Sequence, residues 1–141
     1  MGGVRILAVS HGGMAEGMVR AAGMVAGNLD FLDCLCLDEN SSIEQFRERL
    51  SKKLDGMRDA EQILVLTDIQ GGSPFTSSAE LLAQKGLTEK SVIISGMNLG
   101  LMAALALRGE TVSEDSLEEI LKEARESIRR FRYEEEEDEE L

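Results

Sequence analysis

The sequence predicts an α/β domain: a doubly wound, mostly parallel four-stranded sheet of order 2-1-3-4 with helices on both faces, followed by a C-terminal amphipathic helix. Three observations support this prediction. Short apolar runs alternate with segments of helical periodicity, as in consecutive strand–helix units. The run at 63–67 is the most uniformly apolar, as expected for a central parallel strand. Polar residues and glycines follow the first and third runs, at the edge where such sheets bind ligands.

The elements can be assigned in chain order. The predicted strands are the four short apolar runs at 6–9, 31–37, 63–67 and 92–95. Apolar residues spaced three and four apart predict helices at 14–26, 42–54, 99–107 and 113–131. Ser41 and Glu44 have the spacing of a capping box at the start of the helix predicted at 42–54. A helix also follows the third strand, with Ser73 as its N-cap and Pro74 at its first position.

The C-terminal part of the chain raises two further expectations. The predicted helix at 99–107 is apolar almost all round, so something must cover its second side, and we expect a homodimer interface there. After the amphipathic helix, every residue at 134–140 is acidic. Like charges repel one another and bury no apolar surface. We therefore expect a domain at 1–132 and a disordered acidic tail at 133–141.

Composition excludes several classes of function. The net charge is -12, but the tail accounts for much of it, so the body is only mildly acidic. Phosphate backbones and anionic membranes would be repelled, and we expect no nucleic-acid partner and no membrane insertion. The two cysteines, Cys34 and Cys36, are too few for a zinc site and indicate a reduced, cytoplasmic protein. No signal peptide or apolar run of membrane-spanning length is visible.

The best candidate for a working group is His11, the only histidine in the sequence. It follows the first strand, and Asp68 follows the third, so a sheet of order 2-1-3-4 brings both to one switch point. A carboxylate there can fix the imidazole tautomer and leave the other nitrogen as a nucleophile. The glycine turns after both strands suggest a cradle for a phosphoryl group, formed by the backbone amides of Gly12, Gly13, Gly71, Gly72 and Ser73.

Other chemistries fit less well. The glycine spacing lacks the lysine of a P-loop and the third glycine of a dinucleotide fingerprint. No aspartate pair follows the first strand, which disfavours a metal-dependent receiver of phosphate, and we expect neither metal nor cofactor. A hydrolase triad of Ser73, His11 and Asp68 stays an open but minor alternative, because capping a helix is a sufficient role for the serine.

Three segments resemble a known family, the mannose/fructose/sorbose-type enzyme IIA of the bacterial phosphoenolpyruvate-dependent sugar phosphotransferase system (PTS). They are Ala8-Val9-Ser10-His11-Gly12 with Ala15-Glu16-Gly17, Leu66-Thr67-Asp68-Ile69-Gln70-Gly71-Gly72-Ser73-Pro74-Phe75, and Ile94-Ser95-Gly96-Met97-Asn98-Leu99. The resemblance implies that His11 accepts phosphate from phospho-HPr and passes it to a IIB component for sugar uptake, with Asp68 as its hydrogen-bond partner. It also implies a homodimer.

The expected function is therefore that of a cytoplasmic phosphocarrier. Two alternatives stay open at this stage. One is a regulatory interaction module that uses phosphorylation of His11 to control a partner. The other is the phosphotransfer subunit of a dihydroxyacetone kinase system, which has a similar histidine strand, although the Gly-Gly-Ser-Pro-Phe block of residues 71–75 looks more like the sugar family.

Overall fold

The computed structural model describes residues 3–133, so the predicted acidic tail lies outside the described residues except for Tyr133. Strands and helices alternate as far as the last strand, which is preceded by one turn of 3-10 helix, Thr88–Lys90, and followed by two consecutive helices. The elements are β1 (Val4–His11), α1 (Met14–Ala26), β2 (Leu32–Leu37), α2 (Ile43–Asp55), β3 (Gln62–Thr67), α3 (Ser73–Gln84), β4 (Ser91–Ser95), α4 (Leu99–Arg108) and α5 (Glu114–Glu126).

The four strands form one parallel sheet of order β2-β1-β3-β4, which confirms the prediction. The inner strands β1 and β3 are paired in a register that sets Val9 opposite Thr67. The ends of these two strands, at His11 and Asp68, therefore lie side by side. Because α1 and α3 pack on opposite faces of the sheet, the chain diverges here, and this is the switch point of the fold.

Alternating side chains of the inner strands fill two hydrophobic cores, one on each face of the sheet. On the first face, sheet residues such as Ile6 and Leu66 pack with Met102 of α4 and with residues of α1 and α5. On the second face, Val9 and its neighbours pack with Phe46 of α2 and with residues of α3. A sheet buried on both faces accounts for the apolar sequence of β3, since neither of its sides meets water.

Helix α4 is covered within the chain. Its buried residues are Leu101, Met102, Ala103, Leu105 and Ala106. The helix packs against α1 and α5, and only positions near its ends and Ala104 are exposed. The apolar sides of α4 are therefore covered by other helices of the same chain. The sequence of α4 alone does not call for a second subunit, contrary to the reasoning above.

Two predicted helix starts are wrong by one residue. The N-cap of α2 is Ser42, which forms a capping box with Gln45, whereas Ser41 and Glu44 had been expected. The N-cap of α3 is Gly72, and Ser73 is already helical. Both true caps have an extended backbone, with ψ angles of 159° for Ser42 and 171° for Gly72. Local pattern cannot separate neighbouring residues of similar capping propensity, and helix ends predicted from sequence are therefore uncertain by one or two residues.

The final helix is shorter than predicted, because α5 ends at Glu126 and not at residue 131. The Ser127 hydroxyl donates to the carbonyl of Ala124 at 2.7 Å and so competes with continued helical bonding. Ile128 is 81% exposed, so further turns would bury little apolar surface. The basic residue in the last turn of α5 is Arg125.

Candidate functional site

His11 is the last residue of β1, at the carboxyl edge of the sheet. The chain then turns at Gly12, whose φ of 54° lies in the left-handed region that favours glycine, and enters α1 after Gly13. Asp68 directly follows β3. The structure therefore brings together the two side chains that the sequence singled out.

Asp68 holds His11 at two points. Its Oδ2 atom accepts hydrogen bonds from the backbone N–H of His11 at 2.9 Å and from the imidazole Nδ1 at 2.8 Å. Its Oδ1 atom accepts from the N–H of Ile69 at 3.0 Å. The carboxylate is thus tied to both residues, and the ring has little freedom to rotate without losing a charge-assisted bond.

The electrostatic state of Asp68 follows from these bonds. Partial burial by itself raises the pKa of the carboxyl, but the hydrogen bonds from the His11 backbone, the imidazole and the Ile69 backbone outweigh it, so the pKa lies below its ordinary value. A carboxylate can only accept hydrogen bonds, so the imidazole must donate from Nδ1. The lone pair of the neutral ring is therefore on Nε2.

The start of α3 lies against the imidazole. An added Cβ at Gly72 would lie 2.7 Å from Cε1 of His11 and 3.3 Å from Nε2. The preceding Gly71 has a φ of 85°, which lets the backbone turn into this position. Gly72 itself has ordinary dihedral angles, so glycine is needed there for close approach and not for backbone conformation.

Two predicted cradle residues differ in their backbone bonding. The N–H of Gly12 already donates to the carbonyl of Leu37 at 2.8 Å and extends the pairing of β1 with β2. Gly13 is exposed and is the N-cap of α1. At the other helix, Ser73 occupies the first position of α3, where backbone N–H groups have no partner within the helix. Amides are thus available at both helix starts.

One residue next to the site escaped sequence reasoning. Ser10 is fully buried, and its Oγ atom accepts from the N–H of Ala15 at 2.7 Å and donates to the carbonyl of Gly12 at 3.3 Å. A serine two residues before a glycine turn, directly after the apolar run at 6–9, was the available signal. The sequence alone did not show which of the two sheet faces its side chain would reach.

The hydrolase alternative gains no support. Among the hydrogen bonds of residues 3–133, none joins Ser73 to the imidazole, whose ring is bound to Asp68.

Residues 3–133 contain no cluster of three or more histidine, cysteine or acidic side chains arranged for a metal ion. Cys34 and Cys36 are free thiols, and burial is the main cause that raises the pKa of Cys34. None of the helices described combines the length and hydropathy that a membrane span requires.

Fold and site together define a class: a doubly wound α/β domain that carries a carboxylate-bound histidine at its switch point. The sequence profile of the PTS system fructose IIA component family matches residues 5–125, and the chain belongs to this family. As a IIA component of the mannose family it is a phosphocarrier that takes phosphoryl groups from the PTS chain and passes them to IIB. The function predicted from the sequence is confirmed at this level.

Known relatives agree with this assignment. The fructose-specific EIIA component of Bacillus subtilis (strain 168) is 23% identical over 118 residues, which cover 83% of this chain and 79% of that protein. The mannose-specific EIIAB component of Escherichia coli (strain K12) is 25% identical over 81% of this chain, but the match spans 35% of that protein. The PTS IIA protein associated with the fucose utilization operon of Streptococcus pneumoniae superimposes with a TM-score of 0.79 at 28% identity, covering 90% of this chain and 92% of that one.

Proposed function

We propose that His11 is the residue that carries the phosphoryl group, receiving it from phospho-HPr in the cytoplasm and passing it to a IIB component. The observation that carries this proposal is the bond from Nδ1 of His11 to Asp68, which leaves Nε2 as the free nucleophile. The imidazole side chain is 47% exposed, so a partner protein can reach it. No other histidine in the sequence competes for the role.

The proposed chemistry needs only these two side chains. The lone pair of Nε2 attacks the phosphorus of the donor's phosphohistidine, the donor's P–N bond breaks, and its electron pair returns to the donor ring. The His11 ring then holds the phosphoryl group on Nε2 and the proton on Nδ1, and it carries a positive charge. Asp68 stabilises that charge through its short bond to Nδ1. Transfer to IIB breaks the new P–N bond in the same way.

The phosphoryl oxygens are proposed to bind the backbone at two helix starts. Gly72 lies against the imidazole, Ser73 follows it as the first residue of α3, and helix N-termini favour anions. Gly71 shapes the turn that brings them there, and Gly13 supplies an exposed amide from the start of α1. Gly12 contributes to the turn, because its own N–H is already bound to β2.

A homodimer is proposed as well, on a different basis from the composition of α4. A groove of about 690 Å³ runs along β4 and α5, and apolar residues such as Val92, Leu121 and Ile128 line it. β4 is an edge strand, with β3 as its partner in the sheet. Sedimentation at micromolar concentration should give the mass of two chains. A monomer mass that persists at high concentration would rule the dimer out.

The phosphorylation site is tested by incubating the protein with phosphoenolpyruvate, enzyme I and HPr and mapping the acid-labile phosphate. We expect label on His11 and none on a folded His11→Ala variant. Equal labelling of the variant and the wild type would overturn the proposal. Adding the cognate IIB component should then discharge the labelled protein. Label that stays on His11 in the presence of IIB would favour the regulatory alternative.

A further inference from the structure

Ser10 is a buried polar residue that the proposed chemistry does not use. Its side chain points towards α1, on the opposite side of β1 from the imidazole of His11. Ser10, His11 and Gly12 tie the turn to three different elements. Ser10 binds to α1, His11 binds to Asp68 after β3, and Gly12 binds to Leu37 of β2. Ser10 is the buried member of this set.

The first role of Ser10 is to cap α1 from the preceding strand. The N-cap of α1 is Gly13, which has no side chain that could accept a hydrogen bond. The N–H of Ala15, in the first turn, has no acceptor within the helix. Ser10 Oγ accepts this N–H at 2.7 Å, and both groups are buried. Loss of the hydroxyl would leave the N–H of Ala15 unsatisfied.

The second role concerns the peptide unit between Gly12 and Gly13. The hydroxyl of Ser10 donates to the carbonyl oxygen of Gly12 at 3.3 Å, which turns this oxygen towards the interior. In a trans peptide the C=O and N–H groups point in opposite directions. The N–H of Gly13 therefore points away from the buried hydroxyl, at an exposed residue. With the peptide reversed, a carbonyl oxygen would face outwards and repel an anion.

We infer that Ser10 is a positioning residue for phosphoryl transfer: it holds the Gly12–Gly13 peptide so that the Gly13 amide faces the phosphoryl group on His11. This inference rests on the proposed function of His11. The orientation of this peptide has to be fixed from outside the turn, because Gly12 has a left-handed φ of 54° and is followed by another glycine. Such a segment has little intrinsic preference between peptide orientations. The hydroxyl of Ser10 selects one of them.

The test compares Ser10→Ala and Ser10→Thr with a matched cap variant, Ser113→Ala. Ser113 is the N-cap of α5 and accepts the N–H of Ser116 at 3.1 Å. It adjoins Val112, which is bound to Gln62 at the start of β3, so it lies at the opposite end of the sheet from His11. Each alanine variant loses one helix-capping hydroxyl, but only Ser10→Ala releases the turn beside the imidazole.

We expect Ser10→Ala to lower kcat for phosphoryl transfer from phospho-HPr about tenfold, with KM unchanged. The reason is that the Gly13 amide would no longer donate its hydrogen bond to the charged phosphoryl group. Hydrogen exchange at the Ala15 amide should become faster. Ser10→Thr keeps the hydroxyl and should restore kcat to within about twofold of the wild type. Ser113→Ala removes an exposed helix cap, so it should lower the melting temperature but keep the wild-type kcat. If Ser10→Ala fails to fold, Ser10→Cys, with its weaker hydrogen bonds, should give an intermediate kcat.

Two results would overturn the inference. One is a folded Ser10→Ala or Ser10→Cys protein with the wild-type kcat. The other is a Ser113→Ala protein that is slowed to the same extent, since stability would then account for both effects. Failure of the proposed function gives a different result, because the wild-type protein itself would then take no label on His11.

Discussion

Replacing Gly72 with alanine tests whether the start of α3 must touch the imidazole. The new Cβ would lie 2.7 Å from Cε1 of His11, whereas carbon atoms pack at about 3.5 to 4.0 Å. The two groups must therefore separate by about 1 Å. Alanine adopts the backbone angles of Gly72 without strain, with φ at -79° and ψ at 171°, so the effect is steric.

The clash has two ways to relax. If the imidazole rotates away, it loses its 2.8 Å bond to Asp68, a charge-assisted bond worth about 1.5 to 3 kcal/mol. If the backbone of α3 shifts, the amides at its start move away from Nε2 by a similar distance. A misplacement of about 1 Å at a reacting centre slows a reaction up to about 100-fold. We expect the variant to accept phosphate from phospho-HPr at least about tenfold more slowly.

The assay combines the transfer rate with nitrogen chemical shifts of the imidazole. Because His11 is the only histidine, its ring gives one set of signals, and these report whether Nδ1 still carries the proton. Gly17→Ala is the control, since Gly17 lies within α1 and a Cβ there would have no atom within 4 Å. We expect this control to keep the ring signals of the wild type. A Gly72→Ala protein with wild-type rate and wild-type ring signals would refute the steric reasoning.

Four further predictions follow from the same contacts. Asp68→Asn should slow phosphoryl transfer by about 1 to 3 kcal/mol of barrier without unfolding the domain, and an unchanged rate would contradict the role of the carboxylate. Burial by itself raises the pKa of Asp68, but the hydrogen bonds that its carboxylate accepts outweigh burial, so the folded-state pKa lies below the ordinary value. The stability that the ionised carboxylate contributes is therefore present above the ordinary pKa and is lost as the pH falls through the folded-state pKa. Between about pH 5 and pH 2 the melting temperature of the wild type should therefore fall more than that of Asp68→Asn, and parallel curves would refute this. Ser42→Ala should cost about 1 kcal/mol in urea unfolding through loss of the capping box, whereas Ser41→Ala should cost clearly less. Met102→Ala, at a position with 0% exposure, should cost about 2 to 5 kcal/mol, and a smaller loss would mean that the core around α4 can collapse into the space.

The sequence was sufficient for the order of the strands and helices and for the burial of both faces of β3. Period-two and period-3.6 patterns report on the side of each element that meets water, and in β3 the apolar residues at 63–66 showed that neither side does. Parallel strands whose helices leave in opposite directions have one switch point, so His11 and Asp68 could be placed together before any distance was known. These inferences depend on properties of single elements and on rules of connection.

The tertiary structure decided everything that depends on contacts between elements. Whether α4 needs a partner depends on α1 and α5, and whether Ser10 faces α1 or the imidazole depends on the register and twist of β1. The availability of the Gly12 amide depends on Leu37 of the neighbouring strand, which accepts it at 2.8 Å. Gly72 reads as a turn residue in the sequence, but its place against His11 is set by how α3 packs on the sheet. Local patterns determine which side of an element is buried, whereas contacts on the scale of 3 Å arise only when several elements pack together.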